Sequence, residues 1–220
     1  MRRILGSIYE RLYQNYGPQK WWPGDSVFEI IVGAILTQNT SWTNVEKAIV
    51  NLKKHNLLTP IALKKISRPR LAKLIRPAGF FNVKTKRLKS FIEYLFARYN
   101  GDLREMQKQP LDDLRKELLC VHGIGEETAD SILLYAFSKP IFVVDAYTKR
   151  FFTRHKLIGP QARYEKVQEI FMENLQHDER VFNEYHALIV RLSKDFCKAR
   201  ARCEQCPLNF RKYYHGAHLL

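Results

Sequence analysis

The chain has 220 residues, with 37 Lys and Arg against 22 Asp and Glu and a formal net charge of +15. So large an excess of one sign, at an isoelectric point near 9.7, favours a polyanionic partner held by salt-sensitive contacts. The 45% hydrophobic fraction is ample for a buried core, no apolar run approaches the roughly 18 residues of a membrane span, and the N-terminus lacks the unbroken apolar core of a signal peptide.

A cytoplasmic, nucleoid-associated protein with no membrane contact is expected, its four cysteines thiols rather than structural disulfides. Almost every segment reads as helix. The first is predicted over 5–16 and ends at Gly17-Pro18. A loop over 19–25 carries Trp21 and Trp22. Asp25 or Ser26 can cap a helix over 27–37, whose Phe28, Ile31, Ala34 and Ile35 share one face. A polar break (Gln38-Asn39-Thr40-Ser41) leads to a helix over 42–52 that begins at Trp42. Short helices at 59–65 and 68–75, a loop at 76–79 and a long helix at 80–99 follow.

Leu111, Leu114 and Leu118 repeat at helical spacing, and so do Ala129, Ile132, Leu133 and Ala136. Between them runs Val121-His122-Gly123-Ile124-Gly125, and Asp145 stands twenty residues beyond Gly125. Closely spaced glycines with an acid about 20 positions on also describe a dinucleotide-binding fingerprint. That fingerprint needs a strand before the turn and a third glycine. Here a helical pattern precedes the turn, and Thr128 stands at the third position. The unit is therefore helix, hairpin turn, helix. Its glycines let the backbone bend and approach a partner closely, and the amides that open its second helix suit an anion. The apolar run 141–144 reads as a buried connector rather than a strand. Helices at 146–154, 164–175 and 180–197 precede an irregular tail from Lys198.

Five landmarks in order carry a resemblance: ILTQNT (35–40), RPAGFFNVKTKRL (76–88), VHGIGEETAD (121–130), VVDAYTKR (143–150) and the cysteine-containing tail. With them the chain resembles the helix-hairpin-helix DNA glycosylases of the endonuclease III superfamily. The resemblance implies an all-α, two-lobed fold with a DNA-binding cleft between the lobes. A six-helix lobe over 24–137 would carry the hairpin. Residues 1–23 and 138–220 would make the second lobe, with the catalytic Asp and the tail. Double-stranded DNA containing a damaged base would be the partner, met by a monomer. Phosphate would lie on the hairpin around His122, Gly123, Gly125 and Thr128. Gln38 would fill the gap left by the extruded base.

Asp145 would match the catalytic carboxylate; it also suits an N-cap for the helix from Ala146, and the two roles are compatible. Glu127 occupies the position that is Lys in strand-cleaving members of the family. A carboxylate forms no Schiff base, so Glu127 predicts a monofunctional enzyme that uses water. Its bland reading is a first-turn carboxylate favoured by the helix dipole. Trp21, Trp22 and Trp42 are the chain's tryptophans, expected to form a stacking pocket whose rings attract a cationic base. With Glu127 and the Gly79-Phe80-Phe81-Asn82 segment, they most resemble the 3-methyladenine DNA glycosylase III branch. The function implied is removal of alkylated purines. The alternatives are an endonuclease III-like glycosylase and lyase for oxidised or mismatched bases, with Lys84 or Lys149 supplying the amine, or a non-catalytic DNA-binding module.

Cys197, Cys203 and Cys206 resemble the family's [4Fe-4S] ligands, with a first gap one residue shorter and Lys212 where the fourth cysteine would stand. Completion by His215, a three-cysteine site for labile iron or zinc, and an eroded metal-free site all remain open. Lys198, Arg200, Arg202, Arg211 and Lys212 are expected at phosphates.

Overall fold

A computed structural model describes residues 1–22 and 24–209. Arg211, Lys212 and His215 lie outside the described residues. The architecture is all-α, with no strand among the described residues. The chain divides into two compact units: Trp22–Lys139, and Met1–Trp21 together with the chain from Pro140 onward.

The Trp22–Lys139 unit is built around α2 (Val27–Leu36), which buries Phe28, Ile31, Val32, Ala34, Ile35 and Leu36. A helix apolar all round belongs inside a core, and α2 packs against α3 (Trp42–Lys54), α6 (Phe81–Tyr99) and the second helix of the hairpin. Ser26 caps it by accepting the Glu29 amide. Asp25 instead pairs with Lys53, which also binds Glu29, both at 2.7 Å. Between α3 and α6 run α4 (Pro60–Lys65) and α5 (Arg68–Leu74), whose first turns accept Pro because first-turn amides have no intrahelical partner. The ammonium of Lys89 on α6 closes the end of α4 by donating to the carbonyls of Leu63 and Lys64 at 2.6 and 3.0 Å. The expected loop at 76–79 contains a 3₁₀ turn, Arg76–Ala78.

Asn100 and Gly101, both at positive φ, stop α6 by returning their amides to Phe96 and Leu95. A short α7 (Leu103–Gln107), capped by Asp102, follows; at five residues it shows no legible period. The hairpin helices are α8 (Leu111–Cys120) and α9 (Glu126–Ser131). The chain then widens into a π-helical turn, Ile132–Ala136, with every residue buried. Apolar spacing reads 126–136 as one ordinary helix, because the extra residue of a π turn leaves the buried set apolar.

The other unit joins α1 (Arg2–Tyr16) to α10 (Ala146–Arg154), α11 (Tyr164–Asn174) and α12 (Glu179–Asp195). Leu5, Ile8 and Leu12 of α1 are buried, and the buried Tyr185 hydroxyl donates to the Leu5 carbonyl at 2.9 Å. Its centre is aromatic: Phe142 stacks on Phe171 at 3.6 Å between centroids and meets Phe182 and Tyr185 edge-on. The run 141–144 is buried without forming a strand. Side chains satisfy part of its backbone instead, since Tyr164 accepts the Val144 amide and Gln168 donates to the Phe142 carbonyl.

Candidate functional site

The hairpin is held from both sides. Asp130 of α9 is fully buried and binds Arg115 of α8 through two bonds, Nε to Oδ1 at 2.7 Å and Nη2 to Oδ2 at 3.2 Å. The turn closes where the Ile124 amide meets the Val121 carbonyl. Gly123 has φ +85°, and a Cβ there would lie 2.3 Å from Cγ of Arg87. Glycine is thus required twice over, by backbone and by neighbour.

Gln38 lies in the turn between α2 and α3. Its Nε2 donates to the Gly123 carbonyl at 3.0 Å and to Thr128 Oγ1 at 2.8 Å, while its Oε1 accepts from Arg87 Nη1. The amide therefore ties the turn to the hairpin. Thr128 is buried with its hydroxyl engaged by Gln38; His122 and Gly125 are exposed, and Gly123 is half-buried.

Trp22 and Trp42 meet edge-on at 5.0 Å between centroids, and Tyr135 of the π turn stacks on Trp22 at 4.7 Å. Gly33 of α2 makes room for both indoles, since a Cβ there would stand 3.3 Å from Trp42 and 3.5 Å from Trp22. Trp21 belongs to the other unit, where the Lys194 ammonium lies 5.6 Å from its ring. Glu127 is exposed in the first turn of α9.

Asp145 caps α10, its Oδ1 accepting the Thr148 amide at 2.7 Å. Its Oδ2 lies 3.5 Å from Nε2 of the buried His186 of α12. Burial pushes this carboxyl up, but the adjacent His186 imidazole and the bond from Thr148 outweigh burial and hold it below the usual Asp range. The result is a recessed carboxylate that stays ionised.

Of the two amines that a strand-cleaving reading would need, Lys84 is 1% exposed and donates to the Ala78 carbonyl at 2.7 Å. Burial and the adjacent Arg87 charge push its ammonium down to about 8. A lowered amine suits nucleophilic catalysis, but this one is enclosed. Lys149 is half-buried on α10.

In the tail, Cys197 is buried, Cys203 exposed and Cys206 between the two. Burial and the neighbouring thiols push the Cys206 thiol up. Arg150 donates to the Cys197 carbonyl at 2.7 Å; Arg154 donates to Cys197 Sγ at 3.3 Å and to the carbonyls of Lys198 and Ala199. Among the described residues no group of three or more His, Cys, Asp or Glu is placed to hold a metal ion. The donor set does not fit a four-thiolate cluster.

Sequence patterns missed three contributors: His186, Arg87 and Tyr135. His186 and Tyr135 sit among apolar neighbours on buried faces, and Arg87 lies in a run of basic residues that reads as a solvated face. Their signal is spatial.

Residues 32–177 match the HhH-GPD superfamily of base excision DNA repair proteins. A Methanocaldococcus jannaschii protein, provisionally described as a DNA repair glycosylase, is 50% identical over 207 residues, covering 93% of this chain and 94% of its own. The crystal structure of the H. pylori 3-methyladenine DNA glycosylase MagIII, bound to 1,N6-ethenoadenine, superposes with a TM-score of 0.73 at 29% identity, covering 88% of this chain and 96% of the other. A trapped endonuclease III–DNA covalent intermediate shares the fold, with a TM-score of 0.81 at 20% identity over 97% of this chain and 98% of the other. The chain belongs to the HhH-GPD superfamily of base excision DNA repair proteins and is a DNA glycosylase.

Proposed function

We propose that the protein is a monofunctional N-glycosylase that hydrolyses the glycosidic bond of alkylated purines in duplex DNA. The observation that carries this reading is the pairing of chemistries: an ionised Asp145 set into a helix N-terminus, and a carboxylate, Glu127, at the hairpin position where strand-cleaving relatives carry an amine. The likeness to a 3-methyladenine glycosylase supports the substrate class. So do the indoles of Trp22, Trp42 and Trp21, because electron-rich rings attract a cationic base.

The base leaves the helical stack before reaction. Its C1′–N bond breaks, and the bonding pair neutralises the cationic purine. Asp145 stabilises the positive charge that develops on the deoxyribose and orients the water that adds to C1′. The water's proton passes through Asp145 to solvent, leaving an abasic site. Glu127 offers the sugar no amine. Gly123, Gly125 and His122 meet the DNA backbone, and Thr128 acts through Gln38, which it holds. Cys197, Cys203 and Cys206 take no part in the chemistry.

The test is base release from methylated duplex DNA, assayed before and after alkali. Free methylpurine with strand breaks after alkali alone is the expected result. Breaks without alkali, together with a borohydride-trapped adduct, would overturn the monofunctional reading. Asp145→Asn should lower single-turnover release at least about 10²-fold with DNA binding kept. Equal loss of both would remove Asp145 from the chemistry.

A further inference from the structure

The N-cap bond accounts for one oxygen of Asp145, since the Thr148 amide reaches Oδ1 at 2.7 Å. It leaves Oδ2, and Oδ2 faces Nε2 of His186 at 3.5 Å. These side chains are 11% and 5% exposed, so the pair sits in a nearly dry environment. We propose that His186 is a positioning residue of the glycosylase reaction, whose charge holds Asp145 as an oriented carboxylate through the catalytic cycle. This rests on Asp145 being the reacting carboxylate, and adds a residue that touches neither base nor sugar.

The argument is one of opposing effects. Burial disfavours a charged carboxylate. The carboxylate must nevertheless be ionised to stabilise a cationic sugar. A helix N-terminus helps, but a capping bond satisfies one oxygen only. A positive group on Oδ2 supplies the remainder, and a low dielectric strengthens it. Here α12 contributes His186 to that face and α10 contributes the uncharged Thr148. The imidazole is itself fixed, because Phe142 meets its ring edge-on at 6.3 Å and the residue is 4% exposed. Rigid placement matters for a group whose work is orientation.

The sign follows from the same balance. With His186 present the carboxyl lies below the ordinary Asp value, about 3.9. Without it, burial has less to oppose it and the carboxyl rises. Base release then acquires an acid limb at higher pH.

Two substitutions separate charge from packing. His186→Gln keeps a nitrogen donor and loses the charge; His186→Phe keeps an apolar ring and loses both. The full chain is used, with folding checked by circular dichroism and thermal melting. Two readouts are taken: the Asp145 carboxyl titrated by 13C NMR in the free protein, and the pH profile of single-turnover base release. In both variants the carboxyl should titrate at least about one pH unit higher, a tenfold change in ionisation. The acid limb should move by the same interval, with binding to abasic duplex within about twofold of the parent. A folded His186→Gln protein with the parent's titration and acid limb would overturn the proposal. A parental rate in Asp145→Asn would instead overturn the reading of Asp145, whatever the titration shows.

Discussion

Glu127 stands exposed in the first turn of α9, two residues beyond the second glycine of the hairpin. An amine at such a position can attack a sugar carbon; a carboxylate cannot form the imine. Glu127→Lys should therefore gain a borohydride-trapped adduct on abasic DNA, where the parent gives none. Failure of the folded variant to trap would show that the hairpin does not aim this position at the sugar. The helix positions of Glu127, in a first turn, and Asp145, at an N-cap, were legible in the sequence, because each sits at a fixed distance from the glycines and distance along a chain is a local quantity. His186 was not. It lies 41 positions beyond Asp145 and meets it only because α10 and α12 pack together. The tryptophans divide in the same way. Their residue type predicted stacking surfaces, but the partnering of Trp22 with Tyr135 depends on a π turn that apolar periodicity does not reveal.

Among the elements, the hairpin shows how a short motif is made rigid. Its second α-helical segment has six residues, too few to be stable alone. The buried Asp130 carboxylate and the Arg115 fork join it to α8. Removing one partner strands the other's charge, so Asp130→Asn should cost roughly 2–4 kcal/mol in urea unfolding, below the usual range for a buried pair because Arg115 retains some solvent. The double change of Arg115→Met and Asp130→Leu should cost much less than the sum of the single changes, and strict additivity would show that the pair is not coupled. Arg87 secures the other side. Gly123→Ala meets both a left-handed backbone and the Arg87 stem. Left-handed strain alone is worth about 1–2 kcal/mol, and the clash adds to it. Placing Arg87→Ala in the same chain should relieve the clash and leave the strain, so the second substitution should restore part of the lost stability. No restoration would mean that the stem already gives way. The sequence announced the turn glycines but not their neighbour, because what fills a glycine's empty side comes from a distant helix.

For the whole molecule, an all-α chain was readable from its periods, whereas the expected two-lobe division, 24–137 against 1–23 with 138–220, came from the family resemblance and not from periods. Period counting assigns α1 to a helix without saying what covers it. The structure closes α1 against α11 and α12, and ties Leu5 to Tyr185. The charge excess, by contrast, is a property of the whole chain and was plain from composition. It predicts that the logarithm of DNA affinity falls linearly with the logarithm of salt concentration. Lys198, Arg200 and Arg202 are exposed beyond α12, in the segment whose carbonyls Arg154 pins. A pinned backbone holds these cations in place without occupying their side chains. If each meets one phosphate, replacing all three by Gln should reduce the magnitude of the salt slope by about 2.7, at roughly 0.9 per phosphate. Single-turnover release at saturating enzyme should be unchanged, because phosphate contacts position DNA and do not touch the sugar. An unchanged slope would move the phosphate contacts to other cations. A fall in release at saturation would show that this segment also sets the reacting geometry.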